Sequence, residues 1–294
     1  MIMTHLKLVL DWFPNTNHTG ILLALKRGWF KEAGLDVEMS GQVHGVMELH
    51  GADFICGPQI SMLDNMMHGV EMTGIAVFNQ KCDSGIVSLK KSGITRPREL
   101  MGKRLTHWSP EWYHRAIGAL VNNDGGDYSK VILVNKDVGD IVTTLRTEAD
   151  ATWVYANWEN EELIEAGEEI NYFNLADFDK TFDFAAPAMA ATRRVLEDHP
   201  EEVRTFLKII DRGFREAAAN PEVVLEVKEY MPEGTSDAML LRSQKHLQPI
   251  ILDEQGRWGR IKAERWDRMS DWLIEIGWYD KRRDTEWTND YFED

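Results

Sequence analysis

Four short segments concentrate the side chains that could recognise a small molecule. The densest is Asp11-Trp12-Phe13-Pro14-Asn15-Thr16-Asn17-His18-Thr19-Gly20. Trp12 offers a flat stacking face, and Asp11, Asn15, Asn17 and His18 offer acceptors and donors for the edge of a heteroaromatic ring. The plainer alternative is that Asn17 or Thr19 caps the next helix and Trp12 belongs to the core. The second segment is Trp153-Val154-Tyr155-Ala156-Asn157-Trp158-Glu159-Asn160. Glu159 could accept from an exocyclic amine, Tyr155 or Trp158 could close a ring sandwich, and Asn157 could reach the same ligand; alternatively Glu159 only opens a helix at its favourable end.

The third segment is Thr106-His107-Trp108-Ser109-Pro110-Glu111-Trp112-Tyr113. Its backbone N–H groups could take an anion, but it lacks a glycine and its nearest cation is Arg115, so Ser109 reads as a cap with Trp108 and Glu111 as candidate ligand contacts. In the fourth, Gly57-Pro58-Gln59-Ile60-Ser61, Gln59 and Ser61 could reach a ligand, or Ser61 could cap the apolar helix that follows, whose Met62, Met66 and Met67 read as core filler. Catalytic constellations are missing: there is no Gly-x-Ser-x-Gly, HExxH, Walker-type loop or GxGxxG after a strand. No catalytic residue, metal ligand or cofactor is therefore expected.

Each segment follows a predicted strand. Leu6–Leu10, Asp36–Met39 and Asp53–Cys56 read as strands, with helices over Gly20–Ala33 and around Val46–His50 between them, which is βαβ grammar; Gly34 stands where a left-handed helix cap belongs. Strands at Ile75–Phe78 and Gly85–Leu89 lead to a helix start near Arg98-Glu99-Leu100. A second series follows: strand Arg104–His107, helix Trp112–Asn122, strand Val131–Val134, helix Val138–Thr144, strand Ala151–Tyr155, helix Glu161–Ala166 and strand Ile170–Phe173. An apolar run at Phe184–Ala191 reads as a return crossing, and helices dominate from Pro200 onward, where Val203, Phe206, Leu207 and Ile210 share one face. The expectation is two α/β lobes, 1–84 with 187–294 and 85–186, with the ligand held in the cleft between them.

Composition narrows the partners. The 294 residues carry 33 Lys and Arg against 49 Asp and Glu, a formal charge of −16, so a nucleic acid would meet net repulsion. The most basic run, Lys281-Arg282-Arg283, lies beside Asp280, Asp284 and Glu286 and reads as a solvated face. Cys56 and Cys82 fit no zinc spacing and read as small buried hydrophobes, with a disulfide between them left open. No run approaches the roughly 18 apolar residues of a spanning helix. The opening residues are too short and polar for a signal peptide, so any export signal would lie outside this chain.

The opening loop also resembles that of substrate-binding proteins serving thiamine-precursor ABC importers. The likeness continues through Gly28-Trp29-Phe30-Lys31-Glu32-Ala33-Gly34-Leu35-Asp36-Val37, Ala52-Asp53-Phe54, Pro200–Leu207 and Glu286-Trp287-Thr288-Asn289-Asp290-Tyr291. This resemblance implies an α/β periplasmic-binding-protein fold of type II, two lobes joined by a two-stranded hinge. It further implies a monomer that captures a thiamine pyrimidine precursor, such as formyl-aminopyrimidine, and docks on an ABC transporter permease. The location it implies is periplasmic or membrane-tethered, although a cytoplasmic binding protein would present the same sequence.

The same superfamily includes fungal hydroxymethylpyrimidine phosphate synthases, the alternative reading. Those enzymes carry a lysine and a histidine after the third strand where this chain has Gly57 and Ser61, and a cysteine-rich run where it reads Phe182-Asp183-Phe184-Ala185-Ala186-Pro187. Without the lysine there is no Schiff-base partner, and without the histidine no nitrogen donor. The segment after Phe173 lacks the importer family's Gly-x-Pro spacing, and His107–Glu111 replaces a glycine-containing turn, which leaves the exact pyrimidine open and keeps a flavin, sulfonate or other aromatic ligand in play.

Overall fold

The computed structural model describes residues 3–41, 51–107, 111–137 and 139–293. The chain divides into two compact units: Met1–Lys81 with Phe184–Ser270 and Tyr279–Asp294, and Cys82–Asp183 with Asp271–Trp278.

In the first unit, β1 (Thr4–Leu10) is followed by α1 (Thr19–Lys26) and α2 (Trp29–Glu32). The helix expected over Gly20–Ala33 is thus two helices, because Gly28 adopts a left-handed φ of 74° that ends α1 and starts α2. Gly34 also has a positive φ, and β2 (Leu35–Gly41) then pairs in parallel with the whole of β1. The helix expected around Val46–His50 lies outside the described residues. Next come β3 (Phe54–Gly57), α3 (Gln59–Met67) and β4 (Met72–Val77).

The second unit opens with β5 (Ser84–Leu89) and continues through β6 (Arg104–His107), α4 (Glu111–Asn123), β7 (Ile132–Asn135), α5 (Ile141–Thr143), β8 (Ala151–Tyr155), α6 (Glu161–Glu165) and β9 (Ile170–Asn174). The helix start expected near Arg98 is a 3-10 turn, Pro97–Leu100. Back in the first unit follow β10 (Ala188–Thr192), α7 (Arg193–Asp198), α8 (Pro200–Ala219) and α9 (Asp237–Ile251); α10 (Ala263–Glu275) comes last.

Each unit contains one five-stranded sheet among the described residues, with orders β2-β1-β3-β10-β4 and β7-β6-β8-β5-β9. The two strands that follow a crossing of the chain are the antiparallel ones: β5 runs against β8 and β9, and β10 against β3 and β4. Every residue of β3, β4 and β5 is buried, which explains their unbroken apolar or small-residue runs.

The sheet of the first unit is pinned to its helices by a stack of Phe30, Phe206 and Phe54, with centroids 5.0 and 4.3 Å apart. Pro200 at the first turn of α8, with Glu201 and Glu202, suits the N-terminal end of a helix dipole, and its periodic face from Val203 to Ala217 is buried. α8 meets α1 backbone to backbone: a Cβ on Gly213 would stand 2.1 Å from the carbonyl oxygen of Gly20, and one on Gly20 would stand 2.5 Å from the Phe214 ring. Cys56 and Cys82 are both buried and unbridged. No described helix is long and apolar enough to cross a membrane.

Gly213→Ala should therefore force α1 and α8 apart and cost about 3 kcal/mol, the upper range for an overpacked core. Gly28→Ala, where nothing lies within 4 Å, should cost only the left-handed backbone term of about 1–2 kcal/mol. Urea unfolding of the two variants checks the order.

Candidate ligand-binding site

The opening loop leaves the carboxyl end of β1, where ligands bind in open α/β sheets. Asp11 continues the strand by donating its N–H to the Cys56 carbonyl at 3.0 Å. The chain then turns at Asn15, whose side chain accepts from the Asn17 N–H at 3.0 Å. Asn15 thus caps the 3-10 turn Thr16–His18; neither Asn17 nor Thr19 caps α1, whose cap position is His18 without a side-chain cap bond. His18 completes a reciprocal box: its Nδ1 accepts from the Asn15 N–H at 3.1 Å.

That bond fixes the imidazole chemistry. A backbone N–H only donates, so Nδ1 carries the lone pair and the neutral ring bears its proton on Nε2. Burial keeps the ring neutral by lowering its pKa to about 4. Nε2 is buried and has no hydrogen-bond partner in the protein. Asp11 is half-buried, and its removal from water raises the carboxyl pKa to about 7. Trp12 is half-buried and packs on Phe13 with centroids 5.3 Å apart. The loop is tied down from behind: Thr16 bonds Ser243 at 2.6 Å, Thr19 donates to Gln244 at 2.7 Å, and Asn79 donates to Asn17 at 2.9 Å.

The second unit builds a comparable strand end after β8. A single π turn, Ala156–Asn160, lets Glu159 fold back to accept from the Tyr155 N–H at 3.2 Å. Burial, with Glu162 and Asp83 nearby, raises the Glu159 pKa to about 8. Asp83 anchors this turn, its carboxylate accepting from the Asn157 N–H at 2.9 Å and its carbonyl accepting from the Tyr172 hydroxyl at 2.6 Å.

Several expected contacts are spent on the fold. Trp158 is only 3% exposed and donates its indole N–H to Glu162 at 3.0 Å, so it is not an open stacking face; of the two aromatics expected to stack there, only Tyr155 remains half-buried. Asn157 is fully buried behind its bond to Asp83. Gln59, also 0% exposed, uses its amide to donate to Trp266 O at 2.8 Å and accept from the Ala185 N–H at 3.3 Å. Ser61 lies half-buried in the first turn of α3 without capping it, since the cap position is Pro58. Glu111 is exposed and pairs with Arg115 on its own helix at 3.0 Å. Trp108 and Ser109 lie outside the described residues. Asp83, Asn79 and Gln244 were not expected; Asn79 and Asp83 share the polar run Phe78–Ser84, a signal that could have found them, whereas Gln244 lies inside α9. No group of three or more His, Cys, Asp or Glu placed to hold a metal ion occurs among the described residues.

With this geometry in hand, comparison with known proteins is decisive at the level of family. The family described as NMT1/THI5 like matches residues 15–223, beginning inside the opening loop. The chain belongs to the NMT1/THI5-like family. This family member is 22% identical over 286 residues to the formylaminopyrimidine-binding protein of Halalkalibacterium halodurans, covering 94% of this chain and 86% of that one. It is 24% identical over 242 residues to a 4-amino-5-hydroxymethyl-2-methylpyrimidine phosphate synthase of Legionella pneumophila, covering 77% and 75%. The alkanesulfonate-binding protein SsuA of Xanthomonas axonopodis pv. citri, solved with MOPS, superposes with a TM-score of 0.71 at 12% identity, covering 100% and 99%. The NMT1/THI5-like chain thus has the type II periplasmic-binding-protein fold expected from its sequence, with two α/β sheets of matching order.

Asp11 and Glu159 have raised carboxyl pKa values, so each favours the folded state while protonated and opposes it once ionised. Their contribution is fully present below about pH 4 and is lost as pH rises through about 7 and 8. The Asp11→Asn, Glu159→Gln double variant should match the parent below about pH 4 and exceed it by a growing margin up to pH 9. Urea midpoints across that range check the sign.

Proposed function

We propose that this chain is a solute-binding protein that captures a flat nitrogen heterocycle, a thiamine pyrimidine precursor, without transforming it. The observation that carries the reading is the buried His18 Nε2–H, a donor of fixed tautomer that the fold leaves without a partner, in a loop whose Asp11 carboxyl has a raised pKa. An unpaired buried donor costs free energy that a ligand acceptor would recover. A pyrimidine ring nitrogen is such an acceptor, an exocyclic amine would donate to Asp11, and the ring would lie on Trp12.

The name of the Halalkalibacterium halodurans relative supports this ligand class. Delivery to an ABC transporter permease, a monomeric state and a place outside the cytoplasmic membrane are parts of the same proposal. The Legionella pneumophila relative named as a synthase motivates an enzymatic reading. Against it, Gly57 closes β3 with no side chain for a Schiff base, and Ser61 brings a hydroxyl and no imidazole nitrogen.

Thermal-shift titration separates the readings. At a hundredfold excess over Kd a ligand binding only the native state adds about 2.7 kcal/mol of stability, a rise of several degrees. Formyl-aminopyrimidine or hydroxymethylpyrimidine should give that rise, and Trp12→Ala should weaken binding by about 1–3 kcal/mol, the usual worth of a base stacked on an aromatic ring. A response to pyridoxal phosphate alone would favour the synthase, one to sulfonates or riboflavin alone would move the ligand class, and unchanged affinity in Trp12→Ala would remove the stacking role.

A further inference from the structure

In the second unit, His107 of the third recognition segment and His114 just beyond it form a pair that the proposed ligand site does not use. His107 ends β6 and His114 stands near the start of α4. Their rings meet edge to face, with centroids 4.6 Å apart and an interplanar angle of 66°. The pair is held by the residues one step before each: the Tyr113 hydroxyl donates to the Thr106 carbonyl at 2.9 Å. The His107 carbonyl accepts from the Lys136 N–H at 2.9 Å, which ties the same strand end to the residue after β7. Both imidazoles are thus carried by regular elements and not by a free loop.

The ring nitrogens are disposed as metal ligands need. His107 Nδ1 is buried and has no hydrogen-bond partner in the protein. A buried polar atom left unmatched is costly, and coordination to an ion is one way to satisfy it. Burial, and then the neighbouring His114, lower the His107 pKa, so the ring stays neutral and keeps a lone pair. His114 Nδ1 stands 3.1 Å from the hydroxyl of Tyr128, which opens the 3-10 turn Tyr128–Lys130. An imidazole that ligates a metal through one nitrogen donates from the other to an oxygen, and that bond fixes the ring. Tyr128 stands where such a partner belongs, and Nε2 is the nitrogen it leaves over.

We propose that His107 and His114 form a binding site for a divalent transition-metal ion whose remaining positions are filled by water. Two imidazoles that share one ion through nitrogens about 2.1 Å from it have ring centres roughly 4.5–5 Å apart, and the observed separation falls in that range. Imidazole selects zinc, copper and nickel over magnesium and calcium, which take oxygen ligands. No group of three or more His, Cys, Asp or Glu joins around an ion among the described residues, so the protein supplies two ligands here. That makes an open, exchangeable site; structural zinc sites close the shell with four protein ligands. Both rings are half-buried and within reach of solvent, and the formal charge of −16 favours the approach of a cation.

The test is isothermal titration of the whole chain, without an affinity tag, with copper(II), nickel(II) and zinc chlorides, against magnesium and calcium chlorides as controls. We expect one tight site per chain, tightest for copper, and no binding of magnesium or calcium. Tyr128→Phe should weaken binding about tenfold without changing the nitrogen hyperfine structure of the copper(II) spin-resonance spectrum. His107→Gln and His114→Gln should each weaken binding further and simplify that structure. Melting temperatures close to the parent would show that the variants fold, and His114→Gln carries the test if His107→Gln does not. His68→Gln, at a side chain 74% exposed, should leave affinity unchanged. The proposal is overturned if no transition metal binds more tightly than magnesium, or if binding is indifferent to both His107→Gln and His114→Gln. It is equally overturned if binding is lost in His5→Gln instead, whose ring lies 3.1 Å from Asp36 and 3.5 Å from Glu38.

Discussion

The contact between Gly20 of α1 and Gly213 of α8 fixes more of this molecule than its size suggests. Because a single Cβ at either position would collide, the two helices cross at backbone distance, and α1 cannot shift along α8 without losing that fit. The opening loop ends at Gly20, so the helix contact also sets where Asn15, Asn17 and His18 stand. Bonds from Thr16 and Thr19 to Ser243 and Gln244 on α9, and from Asn79 to Asn17, hold the loop from two further directions. A recognition loop held this way is preorganised, so a ligand need not meet the entropy of ordering it.

Rigidity gives the unpaired His18 donor its meaning. In a mobile loop, Nε2–H would turn toward water or a carbonyl; here the bond from Asn15 holds the ring by its other nitrogen. The same logic applies to Asp11 and Glu159, where removal from water keeps a proton on the carboxyl until near neutral pH. Partly protonated carboxyls can both donate and accept, which matches the alternating amine and ring-nitrogen edge of an aminopyrimidine better than a fixed carboxylate does.

Many elements of the fold were legible because local chemistry decided them: β6 and β8 span Arg104–His107 and Ala151–Tyr155 as expected, and α8 starts at its proline. The break at Gly28 was not, since a glycine inside a helical pattern gives no sign of its φ. At the candidate site, the density of polar and aromatic residues pointed to four loops but carried no information on side-chain direction. Trp158 read as a stacking face until the π turn rotated its indole N–H onto Glu162. Gln59 followed a strand, as a ligand contact should, yet long-range bonds to Trp266 and Ala185 consume its amide. Asp83 and Asn79 were not singled out, because their importance comes from partners 74 and 62 residues away in sequence.

Family membership alone does not separate capture from catalysis, because relatives named for each lie at similar identity, 22% and 24%. The separation has to come from what the strand ends can do. At the end of β3 the backbone of Gly57 pairs with Ala188 inside the sheet, so the position could gain a lysine only by projecting its side chain from a buried strand. Gln59, two residues on, is locked by its bonds to Trp266 and Ala185. What the first unit offers near β1 is a neutral imidazole and a carboxyl of raised pKa. A neutral imidazole and a carboxyl that keeps its proton toward neutral pH can each hold a polar group by hydrogen bonding, and that is the capacity this end of the sheet supplies where the end of β3 supplies a bare backbone.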